Sequence, residues 1–203
     1  MKSINHFTNS KDILNYLQNN PVWVSAFVNG EGSFTASFTI DLRAMWGLFP
    51  QCEFNITQLM DDILLLEALN AFFNNKGGVY PRENNVGTVS FRKISVLKDL
   101  IIPFFYKQPL LGWKSYEFER WVSLVEIIHD KKHVGNTLTN RDALIDFAII
   151  SKELNAKRYN IRKEIRSDII IKWLKELSSI PSQEDKLALK NDIKQALNAL
   201  KKI

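Results

Sequence analysis

Cysteine is almost absent from this chain of 203 residues, since Cys52 is the single one. That excludes an internal disulfide framework and fits a reducing compartment. No apolar run approaches about 18 residues, so the sequence predicts no membrane-spanning helix and no membrane partner. The segment from Met1 to Asp12 has no apolar core and does not resemble a secretory signal.

Glycine and arginine are also scarce, with 8 of each, whereas the chain has 18 asparagines, 21 isoleucines and 19 lysines. AT-rich codons produce this bias, and organelle genomes are often AT-rich. The composition therefore predicts an organellar protein, with the mitochondrion favoured over the chloroplast. Hydrophobic residues at 45% and charged residues at 24% are typical of a globular protein and argue against disorder.

The net charge of +5 is concentrated in the last quarter of the chain. Residues 1–150 hold 14 Lys and Arg against 15 Asp and Glu, whereas residues 151–203 hold 13 against 7. In this basic tail, Arg158, Arg162 and Arg166 recur every four residues and share one face of a predicted helix. Such a stripe is typical of nucleic-acid binding. The alternative is a solvated face that pairs with acids of the same helix.

Hydrophobic periodicity predicts an ordered series of helices and strands. Helices are expected over Ser10–Asn19, Val22–Asn29, Met60–Phe73, 94–105, 115–130, Thr139–Asn155, 158–178 and 183–201. Strands are expected over 33–43, 50–57, 78–82 and 87–93, the last two joined by a turn at Glu83–Asn85. This order predicts an α+β fold, a four-stranded antiparallel sheet with helices on one face.

Particular residues are expected to start and stop these helices. Ser10, Thr139 and Ser182 are the predicted N-caps, because their hydroxyls can accept from free N–H groups of the first turn. Gly30 and Gly32 are expected to end the second helix, and Pro103 the helix that begins at residue 94.

The outward face of the predicted sheet carries mostly Ser, Thr, Gln and Asn side chains. Its candidate nucleic-acid contacts are Arg43, Gln51, Asn55, Arg82 and Arg92. Gln, Asn and Arg side chains recognise base edges in the major groove of a duplex, so this face suits nucleic acid. The alternative is the ordinary wet face of a half-buried antiparallel sheet.

The most specific motif is the segment from Trp23 to Phe34, WVSAFVNGEGSF. Further pieces follow in order: FNITQ at 54–58, GGVY at 77–80, IPFF at 102–105 and PLLGWK at 109–114. Together they resemble the single-motif LAGLIDADG homing endonucleases over residues 21–155. The resemblance implies an αββαββα core with a four-stranded saddle sheet over 21–155, a helical lead-in over 1–20 and a basic helical extension over 156–203.

Glu31 stands at the terminal acidic position of this motif. The resemblance implies that Glu31 is the catalytic acid and that its carboxylate holds Mg²⁺ against a phosphodiester, since hard cations take oxygen ligands. It also implies auxiliary catalytic roles for Gln58 and Lys114. The alternatives are an apolar helix ended by glycine, an ordinary strand-end amide and a solvated lysine at a helix start.

Only one copy of the motif is present, and single-motif members of this family work as homodimers. Two motif helices then pack side by side, and Ser25, Ala26 and Gly30 are small enough to face the partner helix. A two-fold interface implies a near-palindromic DNA target. A fragment of a two-motif enzyme is the alternative.

The sequence therefore predicts a Mg²⁺-dependent, site-specific DNA homing endonuclease that binds double-stranded DNA. Three departures favour a second hypothesis: Asn29 replaces the usual Asp, the sheet face has few arginines, and residues 1–150 are nearly neutral. In that hypothesis the chain no longer cleaves and binds structured RNA, as an intron maturase or a component of an organellar ribosome. A DNA-binding regulator on the same sheet is a third hypothesis.

Overall fold

Helices and two β-hairpins alternate along the first half of the chain, and helices follow. The computed structural model describes residues 9–154 and 161–200. The helices are α1 Ser10–Asn19, α2 Pro21–Glu31, α3 Ile63–Phe72, α4 Ile94–Val96, α5 Ile102–Lys107, α6 Gly112–His129, α7 Leu138–Glu153, α8 Ile161–Glu176 and α9 Gln183–Ala199. The strands are β1 Gly32–Ile40, β2 Leu48–Leu59, β3 Gly78–Arg82 and β4 Val86–Phe91. The predicted α+β class and αββαββα order are confirmed.

The four strands form one antiparallel sheet in the order β1-β2-β4-β3. Phe54 of β2 lies opposite Phe91 of β4, and the β3–β4 hairpin closes with Arg82 opposite Val86. Its turn contains Asn84 and Asn85 with φ of 59° and 56°. Asparagine tolerates this left-handed backbone better than most residues, so the predicted turn at this position is confirmed.

Two predicted helix caps are wrong by one or two residues. The side chain of Asn9, not Ser10, accepts from the backbone of α1, and Ser10 is the first helical residue. The capping box of α7 is formed by Thr137 and Asn140 rather than by Thr139. In both places several polar residues that can cap a helix lie side by side, and tertiary packing selects one of them.

Pro103 does not end its helix, contrary to the prediction. A π-helical segment over Leu97–Ile101 precedes it, and the chain continues helically to Lys107. The proline lies in the first turn of α5, where its missing N–H leaves no helical bond unmade. The cap of α9 is confirmed, since Ser182 and Asp185 form a complete capping box.

The chain divides into two compact units, and the first comprises residues up to Phe34 together with Glu53–Phe118. Its core is a cluster of buried phenylalanine rings contributed by β1, β2, β4 and the neighbouring helices. The ring centroids of Phe34 and Phe54 are 5.2 Å apart, and those of Phe54 and Phe105 are 5.4 Å apart. Offset and edge-on aromatic pairs of this kind add specific geometry to apolar burial.

The second unit comprises Thr35–Cys52 and the chain from Glu119 onward. Two buried indoles are satisfied by backbone oxygens: Trp46 donates to Gly135 at 2.9 Å and Trp121 to Thr35 at 3.1 Å. Helix α8 packs against both α7 and α9. The domain boundaries expected at residues 20 and 155 remain a prediction. Among the described helices, none combines the length and the apolar character that a bilayer span requires.

Candidate active site and nucleic-acid-binding face

Helix α2 passes into strand β1 without a loop, and this junction places Glu31. Glu31 is the last residue of α2 and is exposed, and Gly32 begins β1. The Gly32 N–H donates to the Val28 carbonyl. A Cβ at Gly32 would lie 2.5 Å from Val28 Cγ1 and 2.7 Å from Val28 O, closer than atoms can pack. Only glycine therefore fits where the strand leaves the helix.

Of the two glycines predicted to end the helix, Gly32 caps it, whereas Gly30 does not end it. Gly30 lies within α2, and a Cβ built on it meets no atom of the described residues within 4 Å. The helix ends one residue after Gly30, at Glu31, so the carboxylate is carried by the final turn.

Lys114 lies beside this junction. It belongs to the first turn of α6, and its Nζ donates to the Gly32 carbonyl at 2.8 Å. The same ammonium lies 3.4 Å from Glu117 Oε2, and the two side chains are only 12% and 7% exposed. Trp113 Nε1 donates to the other oxygen, Glu117 Oε1, at 3.1 Å. The fold thus brings Lys114 next to the residue that follows Glu31.

Glu117 is a site residue that the sequence analysis missed. Its position three residues after Lys114 was a usable signal, since residues at this spacing are neighbours on a helix. Such pairs are usually solvated, and only the tertiary structure shows that this one is buried. A buried carboxylate that accepts from an indole and forms an ion pair with an ammonium holds the lysine in one position.

Asn29 has a positioning contact that the sequence analysis did not anticipate. Its Oδ1 accepts from the Leu111 N–H at 3.1 Å, which ties the end of α2 to the segment just before α6. An aspartate would offer the same acceptor oxygen. The departure from the family pattern therefore preserves this contact.

Gln58 lies near the end of β2, opposite Gly87 of β4. Its side chain is half-buried, and its Oε1 accepts from the Leu59 N–H at 3.0 Å. Among the described hydrogen bonds, none joins Gln58 to Glu31 or Lys114. The structure places Lys114 beside Gly32, the residue that follows Glu31, but it gives Gln58 only a local contact.

The three predicted partner-helix residues do not share one face of α2. Ser25 is buried, and its hydroxyl donates to the Val22 carbonyl at 3.0 Å. Ala26 and Gly30 are exposed and lie in line with Val22, which is 63% exposed. The open face of α2 is therefore formed by Val22, Ala26 and Gly30, and Ser25 faces the interior.

The polar sheet face of the first unit is partly self-neutralised. Arg92 Nε donates to Glu53 Oε1 at 2.7 Å, across the β2–β4 pair. Asn55 is half-buried, and its Oδ1 has no hydrogen-bond donor among the described residues. Arg82 on β3 is exposed and makes no ion pair within the described part of the chain. Of these three predicted contacts, Arg82 presents the most available charge.

Arg43 and Gln51 belong to the second unit. Strand β1 ends at Ile40, so Arg43 lies in the β1–β2 connection rather than on the predicted strand. Its Nε and a terminal nitrogen contact both oxygens of Asp41 at 3.0 and 2.9 Å. The hydrogen bonds from Arg43 lower the pKa of Asp41 to about 2. Gln51 is exposed on β2.

The structure describes the basic tail over residues 161–200. Arg158 lies outside the described residues. Arg162 on α8 is exposed, whereas Arg166 is half-buried and donates to the Phe38 carbonyl of β1. The two arginines therefore have different environments although they share a helix face.

Metal ligands are few near Glu31. Within residues 9–154 and 161–200, no three His, Cys, Asp or Glu side chains lie close enough together to hold a metal ion. Glu31 offers a carboxylate at the end of α2, where the last carbonyl oxygens of a helix lack helical partners. This all-oxygen donor set and the negative end of the helix dipole suit a hard divalent cation.

Comparison with known proteins identifies this arrangement. A family model described as LAGLIDADG endonuclease matches residues 24–125, about half of the chain. The chain belongs to the LAGLIDADG endonuclease family. The resemblance inferred from the motif is confirmed, and the matched region contains Glu31, Gln58 and Lys114. Helices α7, α8 and α9 lie beyond it.

Individual LAGLIDADG proteins show the same likeness. The probable intron-encoded endonuclease 3 of Neurospora crassa is 28% identical over 116 residues, which are 56% of this chain and 21% of that protein. The chain thus spans about a fifth of that relative. The homing endonuclease I-TnaI has a TM-score of 0.67 at 28% identity, covering 76% of this chain and 97% of that one. The LAGLIDADG homing endonuclease I-SmaMI, solved bound to cleaved DNA, has a TM-score of 0.63 at 24% identity and covers 67% of this chain and 44% of its own. At that identity the likeness shows a shared fold.

Proposed function

We propose that this protein is a divalent-metal-dependent, site-specific DNA endonuclease that acts as a homodimer. The observation that carries the proposal is the exposed Glu31 carboxylate at the end of α2, with the Lys114 ammonium 2.8 Å from the adjacent Gly32 carbonyl. An acid and a fixed cation at one edge of a polar sheet are the groups that phosphodiester hydrolysis requires. The relatives described above as endonucleases support it.

Glu31 is the residue that would hold the metal ion, and we propose Mg²⁺ because the available donors are oxygens. A bound Mg²⁺ supplies an activated water and charge stabilisation at the phosphate. Lys114 holds a positive charge at a fixed position through Gly32 and Glu117. That charge favours the anionic groups of the reaction near Glu31. We assign Gln58 an auxiliary role in orienting water, from its place at the end of β2.

The homodimer is proposed from the open face of α2. Val22, Ala26 and Gly30 leave room for a second helix to approach closely. A second copy would bring a second Glu31 to the same place and complete the carboxylate set. An isologous contact of this kind is self-complementary and matches a near-palindromic DNA site.

DNA binding is proposed for the polar sheet face and for α8. Arg82 and Gln51 are exposed there, and Arg162 is exposed on α8. Arg43 and Arg92 are engaged by acids, so they contribute less free charge than the sequence suggested. An intron-encoded relative and the excess of asparagine, isoleucine and lysine support an organellar, mitochondrial location.

A second function, RNA binding without cleavage, follows from the excess charge of the tail. The structure keeps this proposal open because Arg43 and Arg92 are ion-paired, which lowers the phosphate-binding charge expected of a DNA saddle. The partner would then be intron RNA or ribosomal RNA.

The deciding experiment compares Glu31→Gln with Glu67→Gln, an exposed carboxylate on α3. A target is first selected from a library of randomised DNA duplexes with the wild-type protein and Mg²⁺. We expect Glu31→Gln to lose cleavage by about 10³-fold or more, the effect of about 4 kcal/mol in the barrier, while DNA binding is retained. Glu67→Gln should cleave normally. Full cleavage by Glu31→Gln, or a selection in which the wild-type protein cleaves no DNA duplex, would contradict the proposal.

A further inference from the structure

The second unit contains a basic pocket between α8 and β1, and most of the residues that line it lie beyond the region that the family model matches. Its volume is about 220 Å³. The polar residues that line it are Arg162, Lys163, Arg166, Ser37, Ser151 and Ser167. None of the described residues that line it is a carboxylate, and three of them carry cationic side chains.

Arg166 has an unused donor in the wall of this pocket. One terminal nitrogen donates to the Phe38 carbonyl, but the buried Nε has no acceptor among the described residues. Burial lowers the pKa of the Arg166 guanidinium, yet arginine remains charged near neutral pH. A buried donor without an acceptor is costly, and an anion in the pocket would remove that cost.

The acids of α8 are engaged by a residue outside the pocket. Asp168 and Glu164 both contact Lys152 of α7, at 2.6 and 4.0 Å. Lys163 donates to the Leu154 carbonyl at 2.6 Å. Arg162 is exposed and forms no ion pair within residues 9–154 and 161–200. The positive charge that the described residues leave available at the pocket is therefore that of Arg162 and Arg166.

We infer that this pocket binds one backbone phosphate of duplex DNA. Ser37 connects it to the proposed DNA-binding face, because Ser37 is an exposed residue of β1 between the buried Ala36 and Phe38. Strand β1 is at the edge of the sheet, where a duplex that lies on the polar face presents its phosphates. Guanidinium groups bind phosphate oxygens with charge-assisted, often bidentate hydrogen bonds. The inference rests on the proposed DNA-binding function.

The test removes one positive charge at a time and measures binding to a short mixed-sequence DNA duplex at several salt concentrations. Arg162→Gln is the main variant, because Arg162 is exposed and its loss should leave the fold intact. Lys172→Gln is the matched control on the same helix, with a side chain that is 77% exposed and outside the pocket. Arg166→Gln is the second pocket variant, accepted only if its unfolding midpoint matches the wild type.

One lost phosphate contact lowers the slope of log K against log salt by about 0.9, which corresponds to about eight-fold weaker binding near 0.1 M salt. We expect that change for Arg162→Gln and none for Lys172→Gln. Equal DNA affinity and equal salt slope for the two variants would overturn the assignment of this pocket as a phosphate site. A loss of binding only to structured RNA, or stabilisation by inorganic phosphate alone with unchanged DNA binding, would also overturn it.

This design separates the pocket from the proposed function. If wild type binds and cleaves its DNA target while Arg162→Gln keeps full affinity and slope, the pocket is wrong and the nuclease assignment stands. If the wild type binds no duplex DNA, both are wrong.

Discussion

Gly30 and Gly32 should respond in opposite directions to the same substitution by alanine. At Gly32 the new methyl group would lie 2.7 Å from the Val28 carbonyl oxygen, a backbone atom that cannot move aside without opening the end of α2. The Gly32 backbone itself has φ −79° and ψ 150°, which any residue adopts, so the cost is steric. Overpacking of this kind costs about 1–3 kcal/mol.

At Gly30 the same methyl group meets open space. Alanine is favoured over glycine within a helix by about 0.5–1 kcal/mol, so Gly30→Ala should stabilise the isolated chain. The two variants are therefore expected to differ by about 1.5–4 kcal/mol in free energy of unfolding. If α2 packs against a second copy as proposed, Gly30→Ala should also weaken the dimer, because the methyl occupies the approach.

Urea unfolding of both variants at low protein concentration measures the first effect, and sedimentation at high concentration measures the second. With unchanged m-values, the shift in midpoint reports stability directly. A wild-type midpoint for Gly32→Ala would show that the α2–β1 junction is not sterically tight. A destabilised Gly30→Ala monomer would show that the surface above Gly30 is occupied within the chain itself.

Two further predictions concern buried charge. Lys114 Nζ lies 3.4 Å from Glu117 Oε2, which gives a Coulomb attraction of about 5 kcal/mol at an effective dielectric constant of about 20. A double-mutant cycle of Lys114→Met and Glu117→Gln, measured by urea unfolding, should therefore give a coupling free energy of about 2–4 kcal/mol. A coupling below about 0.5 kcal/mol, as at exposed pairs, would refute the buried network. The second prediction concerns His133. Burial lowers the pKa of the His133 imidazole below 6.5, so this side chain binds a proton more readily in the unfolded chain than in the folded one. The free energy of unfolding should therefore fall as the pH falls through 6.5. His133→Asn should reduce that slope in pH-dependent unfolding, and an unchanged slope would contradict the burial of this imidazole.

Most elements of the fold follow from local pattern. The alternation along β1 places Phe34, Ala36 and Phe38 on the buried face, as expected for a half-exposed strand. The turn at Asn84 and Asn85 follows from the backbone that asparagine tolerates. The errors lie at helix ends. Several side chains near α1 and α7 can cap, and the free energies that separate them are small.

The candidate site could be predicted only in outline. The motif indicated Glu31, and its place at the end of a helix is confirmed. The contact of Lys114 with Gly32 joins residues far apart in the chain, as does that of Asn29 with Leu111. No local pattern encodes such contacts, because they depend on how the start of α6 and the segment before it pack in the first unit.

The sequence by itself determined the family, the order of helices and strands, and the concentration of positive charge in the tail, because each is recorded in residue type and spacing. Tertiary structure alone decided which charges are available. It paired Arg43 with Asp41 and Arg92 with Glu53, buried Glu117 beside Lys114, and left Arg162 exposed beside an acid-free pocket. Charge is a property of the side chain, but its free energy depends on burial and on neighbours that only the folded chain supplies.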